Sequence, residues 1–547
     1  MKMIKSLVLG SAAALVAMSG AQAADLPVKA KAVEYVRVCS LYGAGFWYIP
    51  GTDTCIKIGG YLRVDTTFNG GGTYGQPAWS GDSGQRNRYF DDFNSRSRFA
   101  LQVDTRTATE YGVVRTYGQA DFQFNNYGTS NPSASTFTTA ATPAGLSGST
   151  LDGVGAGYVA VEYLFIQFAG FTFGKSSSAY STPWNGFPGN TSSYLIGGND
   201  TVTGVNNIQY TAQFGNGVSA SIGLDDPSVY NRTSVLNLSV AGSATGAGQY
   251  AYGGTHAPDV VGNVRVDQAW GLFQISGAAH EVSGSYNILN TVGAPTGAVG
   301  IAAGAPTALS EISGHPETKW GGSVMAALNI KNLPTGAGDD IKIDASWAKG
   351  DLKNILGTAA ASPSVAMFGG SGAAFGSLGI GQVSDAVYLP AGLAAGGNGL
   401  AGAGGTGDLK LTEGWGVRGA FNHNWDPYWS SSLFGGAAWV RYDGSSTDIT
   451  TAKGQWCASY IAGAKITAAN SPTFSCNPDY MISTLGVITR WTPVKNLTFS
   501  GEVGWFHLDQ KMGGIATLTP AAPMPASTYE FKNQDTVYLQ LRAQRNF

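Results

Sequence analysis

RSRFALQVDT at residues 96–105 and VRTYGQADFQF at residues 114–124 carry the pattern that decides the fold. Arg96, Arg98, Gln102 and Asp104 alternate with Phe99, Leu101 and Val103. Arg115, Tyr117, Gln119, Asp121 and Gln123 alternate with Val114, Ala120, Phe122 and Phe124. A period of two places each set on its own face of a β-strand. The C-terminal run VYLQLRAQRNF, Val537 to Phe547, repeats the alternation, and further segments follow at 207–214, 218–225, 259–267, 319–329, 341–347, 415–422 and 498–503. None has helical spacing, and charge sits on the polar faces.

Two architectures produce such strands, a water-soluble sandwich and a barrel in lipid whose polar face lines a lumen. Connection lengths favour the barrel. Short turns at 106–110, 215–217, 269–271 and 426–428 separate strands that are otherwise joined by long polar stretches rich in Gly and Ala, the arrangement of outer-membrane barrels. Aromatic residues gather at strand ends, as at Trp425, Tyr428, Trp429, Trp491 and Phe547, in keeping with interfacial girdles. Composition agrees. Only 12 % of the 547 residues are charged, against about 25 % in soluble domains, and the 78 glycines are roughly twice the usual share of ~7 %. No apolar run reaches the ~18 residues of a spanning helix. A net charge of −3 offers no phosphate-binding excess, so nucleic acid is not an expected partner.

The first residues set the compartment. Lys2 and Lys5, an apolar stretch from Leu7 to Met18 and Ala21-Gln22-Ala23 read as a secretory signal peptide over residues 1–23, which leaves a mature chain from Ala24. Four cysteines in an exported chain favour disulfides. Their spacing is wrong for zinc hooks, and the histidines are scattered singly. Of the three possible connectivities, Cys39 with Cys55 and Cys457 with Cys476 close the shortest loops.

Sixteen strands are predicted: 57–68, 96–105, 111–124, 157–167, 170–175, 206–214, 218–225, 258–267, 271–281, 318–330, 340–349, 410–423, 430–443, 480–491, 497–508 and 533–547. The expected fold is therefore all-β, a 16-stranded antiparallel transmembrane β-barrel over residues 57–547, preceded by a periplasmic segment over residues 24–56 that holds one disulfide. At this strand number the interior is too wide for side chains to fill and leaves an aqueous channel.

Residues 32–65, AVEYVRVCSLYGAGFWYIPGTDTCIKIGGYLRVD, closely resemble the mature N-terminus of the alphaproteobacterial porins of the rhizobial and Brucella type, including both early cysteines and the turn Tyr48 to Gly51. The resemblance implies a sixteen-stranded barrel, a homotrimer in outer-membrane lipid, passive diffusion of small hydrophilic solutes and ions, and a third external loop folded inward. This chain departs from the pattern in two places. Segments 351–408 and 282–317 are long and rich in Ala, Gly, Ser and Thr, a composition expected to resist a packed core. The family's inward loop usually carries acids, whereas here segment 176–205 holds one, Asp200.

A channel needs charge on the wall of a constriction, not a catalytic constellation. Arg63, Arg98 and Arg115 are the candidate pore-lining cations, opposed by Asp65, Asp104, Asp121 and Asp200; alternatively the arginines merely solvate the lumen and pair with those acids. No cofactor or metal is expected. A hydrolase built on His280 or His423 lacks a G-x-S-x-G elbow, and a secreted β-repeat adhesin lacks a fixed period. A lone acid on the inward loop predicts that anions pass at least as easily as cations.

Overall fold

The computed structural model describes residues 37–69, 93–125, 157–193, 195–199, 203–227, 232–289, 311–356, 364–397, 404–520 and 524–547. The expected signal peptide and Asp200 lie outside them. The chain divides into two compact units after Ile56.

The first unit is small and crosslinked. Trp47 and Tyr48 pair antiparallel with Ile56 and Cys55, and a disulfide joins Cys39 to Cys55. Both cysteines are buried with Phe46 in a miniature core that Tyr42 and Tyr48 flank. So little apolar surface needs a covalent clamp to hold one conformation.

The sixteen predicted strands all form. In chain order they are β1 (Thr54–Phe68), β2 (Phe93–Thr109), β3 (Gly112–Asn125), β4 (Tyr158–Phe168), β5 (Phe171–Ser176), β6 (Val205–Gly215), β7 (Val218–Asp225) and β8 (Asp259–Gln268). They continue as β9 (Gly271–Val282), β10 (Lys319–Lys331), β11 (Asp340–Lys349), β12 (Glu413–Asn424), β13 (Trp429–Arg441), β14 (Tyr480–Val494), β15 (Leu497–Gln510) and β16 (Gln534–Asn546). Neighbours pair antiparallel all the way round, and β1 pairs with both β2 and β16, from Tyr61 opposite Asn546 to Phe68 opposite Leu539. Closure leaves no free sheet edge, as a structure in lipid requires.

Alternation sorts the side chains as expected. Leu62, Val64, Phe99, Phe122, Leu164 and Ile222 lie exposed on the outer face, while Asp65, Asp121, Gln274, Asn329 and Glu502 are buried on the inner one. One end of the barrel carries tight turns. Asn216 and Gly217 both take positive φ between β6 and β7, the mirror-image turn that a right-twisted hairpin needs. Tyr111, Phe214, Trp270, Trp425 and Tyr428 ring this end.

The other end departs from expectation. Segment 351–408 does not remain a coreless surface loop: it supplies Leu352, Ile355, Val365, Met367, Leu378, Ile380, Val383 and Val387 to the largest buried cluster. Two small sheets organise it, one of strands 235–237, 249–250, 386–388 and 410–411, the other of strands 365–369, 376–381, 515–518 and 527–531. Helix α1 (Ala452–Gly463), capped by the Thr451 side chain on Gly454 N–H, adds Trp456 and Tyr460. The second disulfide ties its Cys457 to Cys476. Inward positions Val440, Ile482, Phe506 and Leu508 join the same cluster, so this cap seats into the mouth along β13–β15. The average composition of the segment concealed a dense apolar run at 376–389. Residues 410–411, predicted as the start of β12, belong to the cap instead.

Candidate functional site

The described part of the segment between β5 and β6, residues 177–193, 195–199, 203 and 204, runs inside the barrel. Its first part lies on β8 and β9, where Asn263 Nδ2 donates to Ala179 O (2.6 Å) and Gln274 Nε2 to Ser181 O (2.7 Å). It then reaches the opposite side. Asn422 donates to Pro188 O, Arg490 to Gly189 O, and the fully buried Glu502 carboxylate accepts from Thr191 N–H (2.6 Å), Thr191 Oγ1 (2.9 Å) and Ser192 N–H (3.3 Å). Tyr538 Oη supplies Glu502 with a further donor at 2.6 Å. Charge-assisted bonds of this kind are the strong ones.

Arg418 completes the tether. Its guanidinium pairs with Asp344 at 3.0 Å, with both side chains fully buried, and donates to Asn199 O at 2.6 Å. Here backbone meets backbone so closely that a Cβ on Gly197, at φ +101°, would lie 2.3 Å from Val417 O; only glycine fits. The loop returns to its own side of the barrel where Thr203 Oγ1 donates to Glu162 Oε2 at 2.7 Å.

The wall formed by β16 with β1 to β4 is lined by ion pairs. Asp65 is buried between Arg96, at 2.7 Å, and Arg542. Arg98 binds Asp121 at 2.6 Å and Glu162 at 3.4 Å. Asp104 accepts from Arg115 and from Arg106, each at 3.0 Å. Arg63 donates to Gln544 Oε1 at 2.8 Å and lies over the Tyr61 ring.

A carboxylate cluster secures the cap to the barrel rim. His280 Nδ1 lies 2.6 Å from Asp259, and its Nε2 is 2.7 Å from Tyr252 Oη. Asp385 accepts from the Thr233 and Leu352 amides, and Asp351 accepts from Ser323 and Asn354. Burial pushes the Asp351 carboxyl up to about 6, opposed by the nearby charge of His280 and reinforced by Asp259. Burial likewise raises Asp385.

The family follows from comparison with known proteins. Residues 25–539 match the family described as Porin subfamily. The chain belongs to that family. Over 271 residues it is 37 % identical to the Porin Omp2b of Brucella suis and to that of Brucella abortus, a stretch covering 49 % of this chain and 63 % of each relative. Among solved structures it is similar to the outer membrane channel DcaP of Acinetobacter baumannii, with a TM-score of 0.50 and 13 % identity over 91 % of this chain and 99 % of that one. That likeness is one of fold. The porin is thus an outer-membrane β-barrel protein.

Within the porin, the residues singled out from sequence fall at two heights. Arg98 stands opposite Gln123, and its Glu162 partner also receives the returning loop. Arg115 stands opposite Arg106, eight residues further along β2 and near the turn at Glu110, so the two arginines are separated by about 26 Å of strand. Arg63 and Asp65 sit side by side on β1, and Asp104 stays with Arg115 near the turn end. Sequence reading missed Arg418, Arg490, Glu502, Arg542 and Glu162. Each sits in phase on the inward face of a predicted strand, which is the signal that could have found them. At the level of the loop, Arg63, Arg96, Arg98, Arg418, Arg490 and Arg542 face Asp65, Asp121, Glu162, Asp344 and Glu502.

Proposed function

We propose that this porin is a water-filled channel through which small hydrophilic solutes and ions diffuse passively across the outer membrane. The observation that carries it is the closed sixteen-stranded barrel whose polar lumen is narrowed by a loop tethered from within. A surface adhesin has no need of a charged lumen and is not favoured. We read residues 1–23 as the signal peptide, 24–56 as a periplasmic segment and 57–547 as the barrel.

Selectivity is weak on this reading, because arginine and carboxylate nearly balance at the narrowing, and anions pass at least as easily as cations. The assembly is a homotrimer in outer-membrane lipid. The apolar outer faces of β1 to β4, with Leu62, Val64 and Phe99 exposed, offer a surface for a neighbouring copy.

Purified protein in planar bilayers tests the channel directly. Stepwise ohmic conductance is expected, grouped in threes if each copy conducts. Repeated preparations without steps refute the reading.

A further inference from the structure

The two sides of the lumen differ in chemistry. Opposite the ion-paired wall, a cavity of about 640 Å³ opens between the Ser177–Asn185 part of the inward loop and strands β6 to β9. Its volume lies in the ~300–1,000 Å³ range of small-molecule sites. The strand register builds its floor. Thr211 faces Ser221, which faces Asn263; Gln213 faces Ser219, which faces Arg265, which faces Gln274. Apart from Arg265 these groups are hydroxyls and carboxamides, and Arg265, the one cation among the described residues that line the cavity, is engaged by the neighbouring Asp267 at 2.9 Å.

An ion entering this cavity finds its only charges already neutralised by each other, so it gives up hydration without gaining a counter-charge. A neutral polyol fares differently. Each of its hydroxyls both donates and accepts, which matches the hydroxyl of Ser219, the carboxamide of Gln213 and the remaining capacity of the Thr211–Ser221 pair, while the amide donors of Asn263 and Gln274 are held by the loop. Gln209 also lines the cavity, and its Oε1 is buried without a hydrogen-bond partner, so turning that carboxamide toward a solute hydroxyl breaks no existing bond to the oxygen. Such an atom is costly to leave unsatisfied and is met by a donor from a water or a solute.

We infer that this cavity is a subsite for uncharged polyhydroxylated solutes of mono- to disaccharide size, separate from the ion-paired lane along β1 to β4. The assignment rests on the channel reading and adds a substrate class to it. Among the described residues no aromatic side chain floors the cavity, so recognition is by hydrogen bonds and binding is weak and reversible, as throughput demands.

Sucrose is the neutral probe and gluconate the charged one. In planar bilayers, sucrose should reduce the KCl current along a saturating curve, while gluconate should not saturate over the same range. Replacing Gln209→Met and Gln213→Met together keeps volume and touches no residue that tethers the loop. The half-blocking sucrose concentration should rise about tenfold, the loss of two neutral hydrogen bonds, with KCl conductance unchanged. A linear, unsaturating sucrose effect in the wild type overturns the subsite, as does equal saturation by gluconate or an unaltered curve in the variant. Saturation-transfer NMR on the detergent-solubilised protein decides independently of conduction. Transfer to sucrose that the double variant loses supports the subsite, and no transfer in the wild type refutes it. Absent conductance with sucrose transfer intact would defeat the channel reading alone.

Discussion

The inward loop and the cap are both built from connections between strands, yet they are held by opposite means. The loop hangs on a few charged groups, chiefly Glu502, Arg418 and Arg490, each fixing backbone atoms of residues 189–199. The cap is held chiefly by packed apolar side chains such as Leu378, Val387, Trp456 and Phe506, with a disulfide and the Asp351–Asp385 cluster at its rim added. The contrast follows from where each sits. A loop that crosses a polar lumen must show polar surface, so its apolar anchors are few, chiefly Tyr180, Leu195 and Ile196, and charged groups supply the rest of its attachment. A cap that faces itself can bury area freely. Charged tethers fail all at once when a partner is removed, because the group left behind is buried and unpaired. Dispersion and apolar burial fail by degrees, being spread over many contacts.

The largest effect should come from cutting a tether. Glu502→Ala strips Thr191, Ser192 and Tyr538 of their common acceptor and leaves Arg490 nearby without a neighbouring carboxylate. Single-channel records should show new, noisier conductance levels, and the loop's anchorage should weaken by about 3 kcal/mol. Records that match the wild type would erase the distinction between the two kinds of attachment.

Removing the cap's staple should do less to conduction. Cys457→Ser with Cys476→Ser frees a loop of 19 residues and should cost the cap about 3 kcal/mol. Proteolysis within 442–479 should accelerate while the main conductance level persists. If conductance collapses with the disulfide, the cap supports the pore more directly than its apolar packing implies.

A third, smaller effect is pH dependence at the cap's rim. Asp351 has its folded value raised to about 6 by burial, faced by Asp259, Asp225, His280 and Lys353. A raised carboxyl disfavours the ionised form in the folded cap, so its contribution is full below the ordinary carboxylate value and is lost as pH rises through about 6. The cap should therefore be tighter at pH 5 than at pH 7.5. Proteolysis rates normalised to an unfolded substrate at each pH measure this, and Asp351→Asn should flatten the difference. An equally steep profile in that variant assigns the dependence to other groups.

The smallest shift concerns ions. Arg98→Gln with Arg115→Gln should move the reversal potential in a KCl gradient toward cation selectivity, with Arg98 alone giving most of it. Arg115 lies about 26 Å of strand away. Screening over about 10 Å at 0.1 M salt then keeps its influence from the narrowing. Equal shifts from the two single variants would place the narrowing nearer the turns.

How much of this was legible in sequence differs between the same two regions. The barrel strands could be read residue by residue, because a wall between lipid and water enforces strict alternation, as from Arg96 to Asp104. The inward loop entered only through family resemblance. Its anchors were out of reach because Glu502 lies 311 positions from Thr191 and Arg418 lies 219 from Asn199, and single-sequence periodicity says nothing about such pairings. The cap was misjudged because its strands are as short as Ala386–Tyr388, and Gly and Ala dilute their apolar residues. An average over segment 351–408 hid a core that a narrower window at 376–389 would have exposed.

The seam where the barrel closes constrains how the protein can be assembled. Tyr61 meets Asn546, and Asp65 bonds both Arg96 on β2 and Arg542 on β16, so the first strand is fastened on either flank by an arginine. Phe547 stacks on Phe99, and its backbone exchanges hydrogen bonds with Gly60. Every hairpin can form early from neighbours in the chain, but this junction joins partners nearly five hundred residues apart, a closure whose entropy opposes it until the end. Until then two long strand edges stay open to other chains. Biogenesis must accordingly shelter both ends of the polypeptide until the last strand arrives, and a lesion at Asp65 should show as slow maturation and aggregated precursor more than as altered transport.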